Sequence, residues 1–296
     1  MYSLKIQLEA YANLTQEALE RFLPDNGNED TVTSAMRYSL LGGGKRLRAA
    51  LALAFCNALG GKQDDAIVFA CALEMVHAYS LIHDDLPCMD DDDMRRGRPS
   101  CHIAFGEPVA LLAGDGLLTK AFETLSYSQL PPAQIVQAVG ILAKAAGHLG
   151  MIGGQRLDLE NETITASIER VEQTNRLKTG ALISAAVALG CIAAGADAKT
   201  RGFAECYAQH IGAAFQITDD ILDCTSSQEE LGKPIGSDAQ NHKTTYVSMY
   251  GIEEARTIAE RRIEQAKQAL DAIDGCSTQT TGFLYELADY ILTRRS

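Results

Sequence analysis

Apolar residues recur at three- and four-residue spacing along most of this 296-residue chain. The clearest runs lie at residues 71–85, 133–150, 200–223 and 252–273. This spacing places apolar side chains on one face of an α-helix. Alternating β-branched segments are almost absent, and only seven prolines interrupt the chain. We therefore predict an all-α fold of about ten to twelve helices, without a sheet.

The composition favours one large folded body. Hydrophobic residues make up 46% of the chain and charged residues 22%, which is ample material for a core. No internal repeat stands out, and no linker separates two composition regimes, so we expect a single helical domain over residues 1–296. Polar loops interrupt the pattern at residues 24–30 and 225–245. A loop as long as the second is usually functional or disordered, and its position directly after an aspartate cluster favours function.

The charge and the cysteines exclude several classes of protein. A formal net charge of -13 argues against a nucleic-acid partner, because binding to phosphate backbones requires clustered Lys and Arg. An anionic substrate would therefore have to be held by a local basic pocket. Eight scattered cysteines without a CxxC pair indicate a reducing, cytoplasmic location.

The apolar segments resemble neither a signal peptide nor a membrane span. The N-terminal segment carries Glu9, Glu17 and Glu20 among its apolar residues, unlike a signal peptide. The longest uncharged run, residues 180–196, falls just short of membrane-spanning length and is rich in Ala and Gly. We expect a core helix there and no membrane insertion.

Six aspartates lie within DDLPCMDDDD at residues 84–93, at the end of an apolar segment. Packed carboxylates repel one another, so this cluster is either a solvated turn or a cation site. Asp84 and Asp90 are too far apart in sequence to share a helix face, but Pro87 cannot continue a regular helix. We predict that the helix ends or bulges near Leu86, that Asp90 returns toward Asp84 and Asp85, and that residues 91–93 point to solvent.

A second aspartate cluster lies in QITDDILD at residues 216–223. Asp219 and Asp223 are four residues apart and would project from one face of a helix, with Asp220 beside them. Such a pattern alone is equally compatible with a helix end that faces water. Mg²⁺, however, is typically held by one or two carboxylates together with waters and substrate phosphates. Two clusters that each close an apolar helix favour facing walls of one cavity.

Basic residues supply the complement that a phosphate ligand would need. Gly42, Gly43 and Gly44 would let backbone amides approach a phosphate directly before a helix N-terminus, although the P-loop pattern is absent. His77 lies near the same helix face as Asp84, and both substrate contact and a hydrogen-bonded core role fit its position. The candidate cations are Lys45, Arg46, Arg48, Arg95, Arg96, Lys178, Lys233 and Lys243.

These segments resemble the motifs of the trans-isoprenyl diphosphate synthases. DDLPCMDDDDMRRGRPSCH (84–102) and FQITDDILD (215–223) resemble the first and second aspartate-rich motifs of that family. The segments GGGKRLR, GGQRLDL, KTGALI and LGKPIGSD also match motifs of the family, and all the motifs occur in the family's order along the chain. The resemblance covers essentially the whole chain and is nearest to the bacterial farnesyl diphosphate synthases.

The resemblance implies a fold and a reaction. The fold would be a helical bundle of the isoprenoid synthase type around a deep central cavity, assembled as a homodimer. The reaction would join isopentenyl diphosphate to dimethylallyl and geranyl diphosphates and give (2E,6E)-farnesyl diphosphate. It would require several Mg²⁺ ions bound together with diphosphate.

The resemblance also implies roles for individual residues. The implied Mg²⁺ ligands are Asp84, Asp85 and Asp90 with Asp219, and Asp220 or Asp223. The implied isopentenyl diphosphate pocket consists of Lys45, Arg48, His77 and Arg96. The implied allylic diphosphate site consists of Arg95, Lys178, Thr179, Gln216 and Lys233. Of these, Arg95, Lys178, Thr179 and Gln216 are the implied catalytic residues, with Thr179 and Gln216 beside the developing carbocation.

Product length should depend on the residues that precede the first aspartates. Tyr79 lies about 7.5 Å before Asp84 along a helix, and Ser80 is one residue closer. A bulky ring at that depth would form the floor of the cavity, and in the family such an aromatic residue is associated with fifteen-carbon products. Plain core packing is the alternative role of Tyr79.

The sequence departs from the family pattern at a few positions. Ala49 stands where Pro is usual, Ser100 where Thr is common, Val247 where Pro often follows, and Ser237 where many relatives carry Lys. None of these changes removes a candidate metal ligand or phosphate contact.

Three other functions fit parts of the pattern. A synthase of longer chains would share all the motifs. A non-catalytic partner subunit would typically lack some of the aspartates or lysines that this chain retains. A terpene cyclase would have less need of the second diphosphate pocket formed by Lys45, Arg48 and Arg96.

Overall fold

The computed structural model describes residues 4–25, 27, 30–225, 244–274 and 278–294. These residues are mostly helical, which confirms the predicted all-α fold. The chain divides into two compact units, which we call unit 1 (residues 1–140 and 192–195) and unit 2 (residues 141–191 and 196–296). The single domain and the central cavity inferred from the sequence stay predictions.

Unit 1 contains the first of the predicted apolar helices, which ends at the first aspartate cluster. Its helices and strands, in chain order, are α1 (Leu4–Phe22), α2 (Thr31–Leu40), α3 (Leu47–Ala58), α4 (Gln63–Asp84), β1 (Met94–Arg95), β2 (Arg98–Pro99), α5 (Cys101–Phe105), α6 (Glu107–Leu125) and the first part of α7 (Pro132–Ala146). Nearly every residue of α3 is buried, and α4 packs against α3 and α6. Close packing of α4 on α6 depends on Gly114, where a Cβ atom would overlap the imidazole of His83.

A short antiparallel sheet follows the first aspartate cluster, so the expectation of no sheet is wrong. Met94 pairs with Pro99, and Arg95 pairs with Arg98. The two residues of the turn, Arg96 and Gly97, both have positive φ, of 53° and 73°. Two consecutive residues of positive φ define the turn type that matches the twist of a hairpin. The strands are too short to give an alternating sequence pattern, which is why the sequence does not reveal them.

Unit 2 contains the second aspartate cluster. Beyond the end of α7, its helices are α8 (Met151–Asn161), α9 (Ile168–Asn175), a π-helical turn (Arg176–Gly180), α10 (Ala181–Ala193), α11 (Ala198–Thr225), α12 (Tyr246–Tyr250), α13 (Ile252–Asp271) and α14 (Thr278–Thr293). The long helix α11 packs against α13 and α14, and the buried Tyr207 hydroxyl on α11 donates to the Leu284 carbonyl of α14 over 2.9 Å. The uncharged run at 180–196 forms α10, which is mostly buried, as predicted.

The described residues contain more helices than predicted because some apolar runs are interrupted. The run at 133–150 ends as a helix at Ala146, and a turn over residues 147–150 precedes α8. Gly150 permits this turn, because a Cβ atom there would overlap the backbone carbonyl of Ala145. The short helices α5 and α12 also lack the length that periodicity requires.

Three helical segments are long and apolar enough to span a membrane by length and composition alone. For Gln63–Asp84 and Ile168–Ala193, 72% and 56% of the apolar window is buried inside the fold. For Pro132–Asn161 the buried share is 33%, and Val136 and Leu149 lie exposed on it. The absence of membrane insertion stays a prediction.

Replacing Gly114 with Ala should destabilise the protein by about 1–3 kcal/mol, since the added methyl group must displace His83 from between α4 and α6. Gly202→Ala is the matched control, because a Cβ atom on this exposed helical glycine of α11 meets nothing within 4 Å. We expect the control to change stability by at most about 1 kcal/mol, in the stabilising direction. Urea unfolding of the two variants checks this, and equal midpoints would contradict the packing argument.

Candidate active site

The first aspartate cluster lies where α4 ends in unit 1. After Asp84 the chain turns, and the Asp90 N–H donates to the Asp84 carbonyl over 2.9 Å. A further hydrogen bond from the Met89 N–H to the Leu86 carbonyl, 2.8 Å long, closes the turn. This confirms that the helix ends near Leu86 and that the backbone of Asp90 returns to that of Asp84. The side chain of Asp85 is buried, whereas Asp90 and residues 91–93 are exposed.

Arg95 lies within this cluster because the hairpin folds back on it. Its Nε donates to Asp85 Oδ1 over 2.9 Å, its Nη2 also contacts Asp85, and Nη2 donates to Asp92 Oδ2 over 3.1 Å. Burial raises the pKa of Asp85, and the hydrogen bond and charge of Arg95 oppose that rise. A predicted metal ligand and a predicted diphosphate ligand are therefore paired with each other.

The GGGKRLR loop is held by a buried ion pair. Arg46 is only 5% exposed, and it donates to Glu74 Oε2 over 3.2 Å, to Gln16 Oε1 over 2.9 Å and to the Leu40 carbonyl. Glu74 Oε1 accepts from the Ala49 N–H over 3.1 Å, in the first turn of α3. Glu74 thus caps α3 and fixes Arg46, whose φ of 47° is unusual for a non-glycine residue. A proline in place of Ala49 would lack this donor.

The sequence pattern presents Arg46 only as one of several cations and does not point to Glu74. A lone acidic residue inside the apolar sequence of α4 is the signal that could have found the pair. A charge in that position is seldom buried without a partner.

The candidate isopentenyl diphosphate residues lie around this loop. Arg48 Nη1 is 3.2 Å from His77 Nε2, and Arg96 Nη1 donates to the Gly43 carbonyl. Lys45 is exposed in the same loop. A cleft in unit 1 is lined by Arg46, Glu74, His77, Asp85, Arg95 and Arg96, among others. The structure therefore gathers basic side chains at one cleft, as an anionic ligand requires.

His77 is held neutral by its surroundings. Burial lowers the pKa of His77 well below its ordinary value, and the charges of Arg48 and Arg96 lower it further. A neutral imidazole can accept a hydrogen bond from Arg48, so the pair is a donor and an acceptor rather than two repelling cations.

Tyr79 and Ser80 lie on α4, one turn before the first aspartates. Tyr79 is 4% exposed, and its ring packs edge-on against His83 with 5.7 Å between centroids. Its buried hydroxyl has no hydrogen-bond partner among the described residues, and burial raises the pKa of Tyr79 to about 12. The Ser80 hydroxyl donates to the His77 carbonyl over 2.9 Å.

In unit 2 the first residue of the second cluster is paired with a cation that directly follows α14. Arg294 Nη2 lies 2.6 Å from Asp219 Oδ1 and donates to the Phe215 carbonyl over 3.0 Å. The guanidinium also lies 3.8 Å above the centroid of the Phe215 ring. No sequence pattern indicates Arg294, since the two partners lie far apart in the chain.

The second residue of that cluster, Asp220, has different partners. It is 4% exposed, its Oδ1 accepts from Gln216 Nε2 and its Oδ2 accepts from the Tyr246 N–H, each over 3.1 Å. Gln216 Oε1 in turn accepts from Thr179 Oγ1 over 3.1 Å. The structure thus joins the two residues predicted to lie beside a carbocation. Asp223 is buried on the same helix.

A π-helical turn presents Lys178 and Thr179. Such turns inside α-helices are frequently found at functional sites. Lys178 Nζ lies 2.7 Å from Asp158 Oδ2 on α8. Gly154 permits this close approach, because a Cβ atom there would overlap the backbone nitrogen of Lys178. Asp158 belongs to the GGQRLDL segment, but the sequence alone assigns it no role.

The donors at the two clusters fit an ion that is bound jointly with a substrate. All are carboxylate oxygens, which Mg²⁺ prefers. Within the described part of the chain, no three His, Cys, Asp or Glu side chains are placed to hold a metal ion by themselves. Mg²⁺ that shares its shell with waters and phosphates needs only one or two carboxylates.

Two predictions about the site are not tested by the structure. Lys233, Ser237 and Lys243, with most of the 225–245 loop, lie outside the described residues. The first and second clusters belong to different units, so their placement on facing walls of one cavity stays a prediction.

Comparison with known proteins gives a consistent class. The sequence model of the polyprenyl synthetase family matches residues 29–279. A farnesyl diphosphate synthase of Bacillus subtilis (strain 168) is 44% identical over 268 residues, covering 90% of this chain and 89% of that protein. A chloroplastic geranylgeranyl pyrophosphate synthase of Capsicum annuum is 47% identical over 270 residues, covering 89% of this chain and 71% of that protein. The solved structure of an FPP/GFPP synthase from Zymomonas mobilis has a TM-score of 0.86 at 35% identity and covers 98% of both chains.

The helical fold and the matching structures define an α-helical isoprenoid synthase. The chain belongs to the polyprenyl synthetase family. It is a prenyltransferase, and its family implies isoprenoid diphosphates as substrates. The similar proteins divide between farnesyl and geranylgeranyl synthases.

Replacing Glu74 with Gln should cost about 3 kcal/mol or more of unfolding free energy, because Arg46 would stay buried without its counter-charge. The control is Lys199→Ala, which removes an ion pair whose side chains are 66% and 85% exposed and which should change stability by under about 1 kcal/mol. Urea unfolding measures both. A loss no larger for Glu74→Gln than for the control would show that Arg46 finds other partners.

Acid should destabilise the wild-type protein more than a His77→Gln variant. Because the folded-state pKa of His77 is depressed, the unfolded chain binds a proton below about pH 6.5 that the folded chain does not. The stabilisation that a neutral His77 provides is therefore complete above that pH. Below it, the free energy of unfolding falls by up to about 1.4 kcal/mol per pH unit. Unfolding curves of both proteins between pH 8 and 5.5 check this. A stability difference that does not vary with pH would contradict a half-buried His77 that stays neutral in the folded protein.

Proposed function

We propose that this protein is a Mg²⁺-dependent farnesyl diphosphate synthase. It would join isopentenyl diphosphate to dimethylallyl diphosphate and then to geranyl diphosphate, and release (2E,6E)-farnesyl diphosphate and diphosphate. Family membership supports the prenyl transfer, and relatives named farnesyl diphosphate synthase support the product. The observation that carries the product length is the buried Tyr79 on α4, about one turn before Asp84.

We assign the residues that would bind Mg²⁺ and diphosphate separately in each unit. In unit 1, Asp84, Asp85 and Asp90 would hold Mg²⁺, with Arg95 beside them. In unit 2, Asp219 would hold Mg²⁺, and Lys178 would bind the allylic diphosphate. The negative charge that develops on the departing diphosphate would be neutralised by Mg²⁺ bound with it. Arg95 in unit 1 and Lys178 in unit 2 would each contribute fixed positive charge to that neutralisation.

Isopentenyl diphosphate would bind at the cleft of unit 1. Arg96 and His77 line that cleft, Arg48 contacts His77, and Lys45 lies in the adjoining loop. Because Arg46 is fixed by Glu74, the loop is held before the ligand arrives, which limits the entropy lost on binding.

Thr179 and Gln216 would stabilise the carbocation left when the allylic C–O bond breaks. Their oxygens lie on one hydrogen-bonded chain in unit 2. The double bond of isopentenyl diphosphate then attacks the cation, and loss of a proton restores an alkene. We assign that proton to the released diphosphate, since the sequence places no obvious protein base for that step.

We also propose a cytoplasmic homodimer. The eight scattered cysteines without a CxxC pair support a reducing compartment. Val136 and Val139 lie exposed on α7, and apolar residues of this kind fit an interface with a second copy.

The proposed function is tested with purified protein, Mg²⁺, isopentenyl diphosphate and geranyl diphosphate, followed by dephosphorylation and sizing of the alcohols. Mostly farnesol supports the proposal. Mostly geranylgeraniol or longer alcohols would keep the prenyl transfer and reject the fifteen-carbon product. No product, with binding of Mg²⁺ and pyrophosphate confirmed, would indicate a non-catalytic partner subunit.

Replacing Tyr79 with Ala should lengthen the product beyond fifteen carbons, because it removes the ring that we assign as the floor of the cavity. Tyr79→Phe is the matched control: it keeps the ring and removes only a hydroxyl with no partner among the described residues, so farnesol should persist. Loss of a buried aromatic ring costs about 3–5 kcal/mol, so the folded fraction is measured first. An unchanged product from a folded Tyr79→Ala protein would exclude Tyr79 as the floor.

A further inference from the structure

Asp220 is buried, and neutral donors contact both of its oxygens. Oδ1 accepts from the Gln216 side chain and Oδ2 from the Tyr246 N–H. Its neighbour Asp219 is 42% exposed at the side chain and contacts a cation. Both oxygens of Asp220 are thus held by groups of unit 2, whereas Asp219 keeps part of its side chain accessible to an ion that arrives with a substrate.

The contact with Asp220 fixes the orientation of the Gln216 amide, that is, the directions in which its oxygen and its NH₂ group point. An ionised carboxylate only accepts hydrogen bonds, so Gln216 must direct its NH₂ group toward Asp220. Its carbonyl Oε1 then faces Thr179, and the Thr179 hydroxyl donates to it over 3.1 Å. Both hydrogen bonds that link Thr179, Gln216 and Asp220 are therefore donated in the direction of Asp220. The inverted amide would place two oxygens against each other at Asp220.

This polarity matters next to a developing cation. A carbonyl oxygen and a hydroxyl lone pair attract positive charge, whereas an NH₂ group or a hydroxyl proton repels it. Dipoles that are already oriented need no reorganisation as the charge forms, which is the main source of electrostatic catalysis.

The carboxylate of Asp220 is itself held in place. Tyr246, which supplies the N–H, is 4% exposed and belongs to a core cluster with Ile217 and Ile221. The Tyr246 hydroxyl donates to Glu172 Oε1 over 3.0 Å. Movement of Asp220 out of this position would break two hydrogen bonds of a buried charge, which costs several kcal/mol.

We propose that Asp220 is a positioning residue, which orients the Gln216 amide and the Thr179 hydroxyl so that their oxygens face the carbocation, and that it is not a ligand of Mg²⁺. The proposal rests on the proposed prenyl transfer, but it does not depend on the length of the product.

The first test separates a metal ligand from a positioning residue. Binding of Mg²⁺ with inorganic pyrophosphate is measured by calorimetry for the wild type, Asp220→Asn and Asp219→Asn. We expect Asp219→Asn to weaken binding by about tenfold or more and Asp220→Asn to leave it unchanged. Equal weakening in both variants would overturn the proposal. This measurement decides the point even if the wild type makes no prenyl product, an outcome that would reject the proposed function alone.

The second test concerns the direction of the hydrogen bonds. In Asp220→Asn the new amide can accept from the Tyr246 N–H only by presenting its NH₂ to Gln216, which inverts the Gln216 amide. We expect kcat to fall by about tenfold to a hundredfold while KM for both substrates stays within about twofold. A rise in KM with kcat unchanged would overturn the proposal.

A double variant that exchanges the amide and the carboxylate of residues 216 and 220, and so keeps the net charge, should restore activity. In Asp220→Asn combined with Gln216→Glu, the NH₂ of residue 220 donates to the carboxylate of residue 216, which again accepts from Thr179. We expect kcat to recover by about tenfold relative to Asp220→Asn. The double variant also keeps the buried charge, so it remains informative if the single variant does not fold. A folded double variant as inactive as the single one would refute the orientation argument.

Discussion

Repulsion among the carboxylates at the end of α4, and likewise among those at the end of α11, is the constraint on which the arrangement of side chains within each unit depends. These side chains lie beside buried apolar faces, where like charges repel more strongly than in water. Hydrogen-bond donors within the protein contact these carboxylates and offset the repulsion. Arg95 contacts Asp85, Arg294 contacts Asp219, and a backbone N–H contacts Asp220. The hairpin and the end of α14 can thus be understood as parts that neutralise the aspartates.

Pairing within the protein also moderates the affinity of the basic side chains in each unit for a diphosphate. Lys178 is bound to Asp158, and Arg95 to Asp85, before any diphosphate is present. A diphosphate therefore gains only the difference between its own interactions with these cations and those that it replaces. A site of unpaired cations would bind a diphosphate product more tightly and release it more slowly. Pairing within the protein is consistent with turnover.

The sequence predicts the local structure well where a single cause dominates. Pro87 alone is sufficient to end α4, and the return of Asp90 follows from that ending. The hairpin escapes prediction because Arg96 occupies a position of positive φ that Asn or Gly usually takes, so the turn has no recognisable sequence. The break before α8 escapes it because a glycine within an apolar helical run does not by itself reveal a turn.

The pairing of side chains is less predictable than the helices. Arg46 with Glu74 and Arg294 with Asp219 each join residues distant in the chain, and only the packing of the helices brings them together. A charged residue read alone has the appearance of a surface residue. Thr179 and Gln216 are indicated by family resemblance, and their hydrogen bond is consistent with the shared role inferred for them. The direction of their hydrogen bonds is set by Asp220, and no sequence pattern reveals this network.

The π-helical turn has a consequence for the evolution of this chain. A π-helical turn contains one residue more than the α-helical turn that it replaces. Deletion of a single residue between Arg176 and Gly180 would therefore give an α-helical turn and leave α9 and α10 in register. It would, however, remove the wide turn that places Lys178 beside Asp158 and Thr179 beside Gln216. The packing of the flanking helices should thus tolerate such a deletion, whereas the site should not.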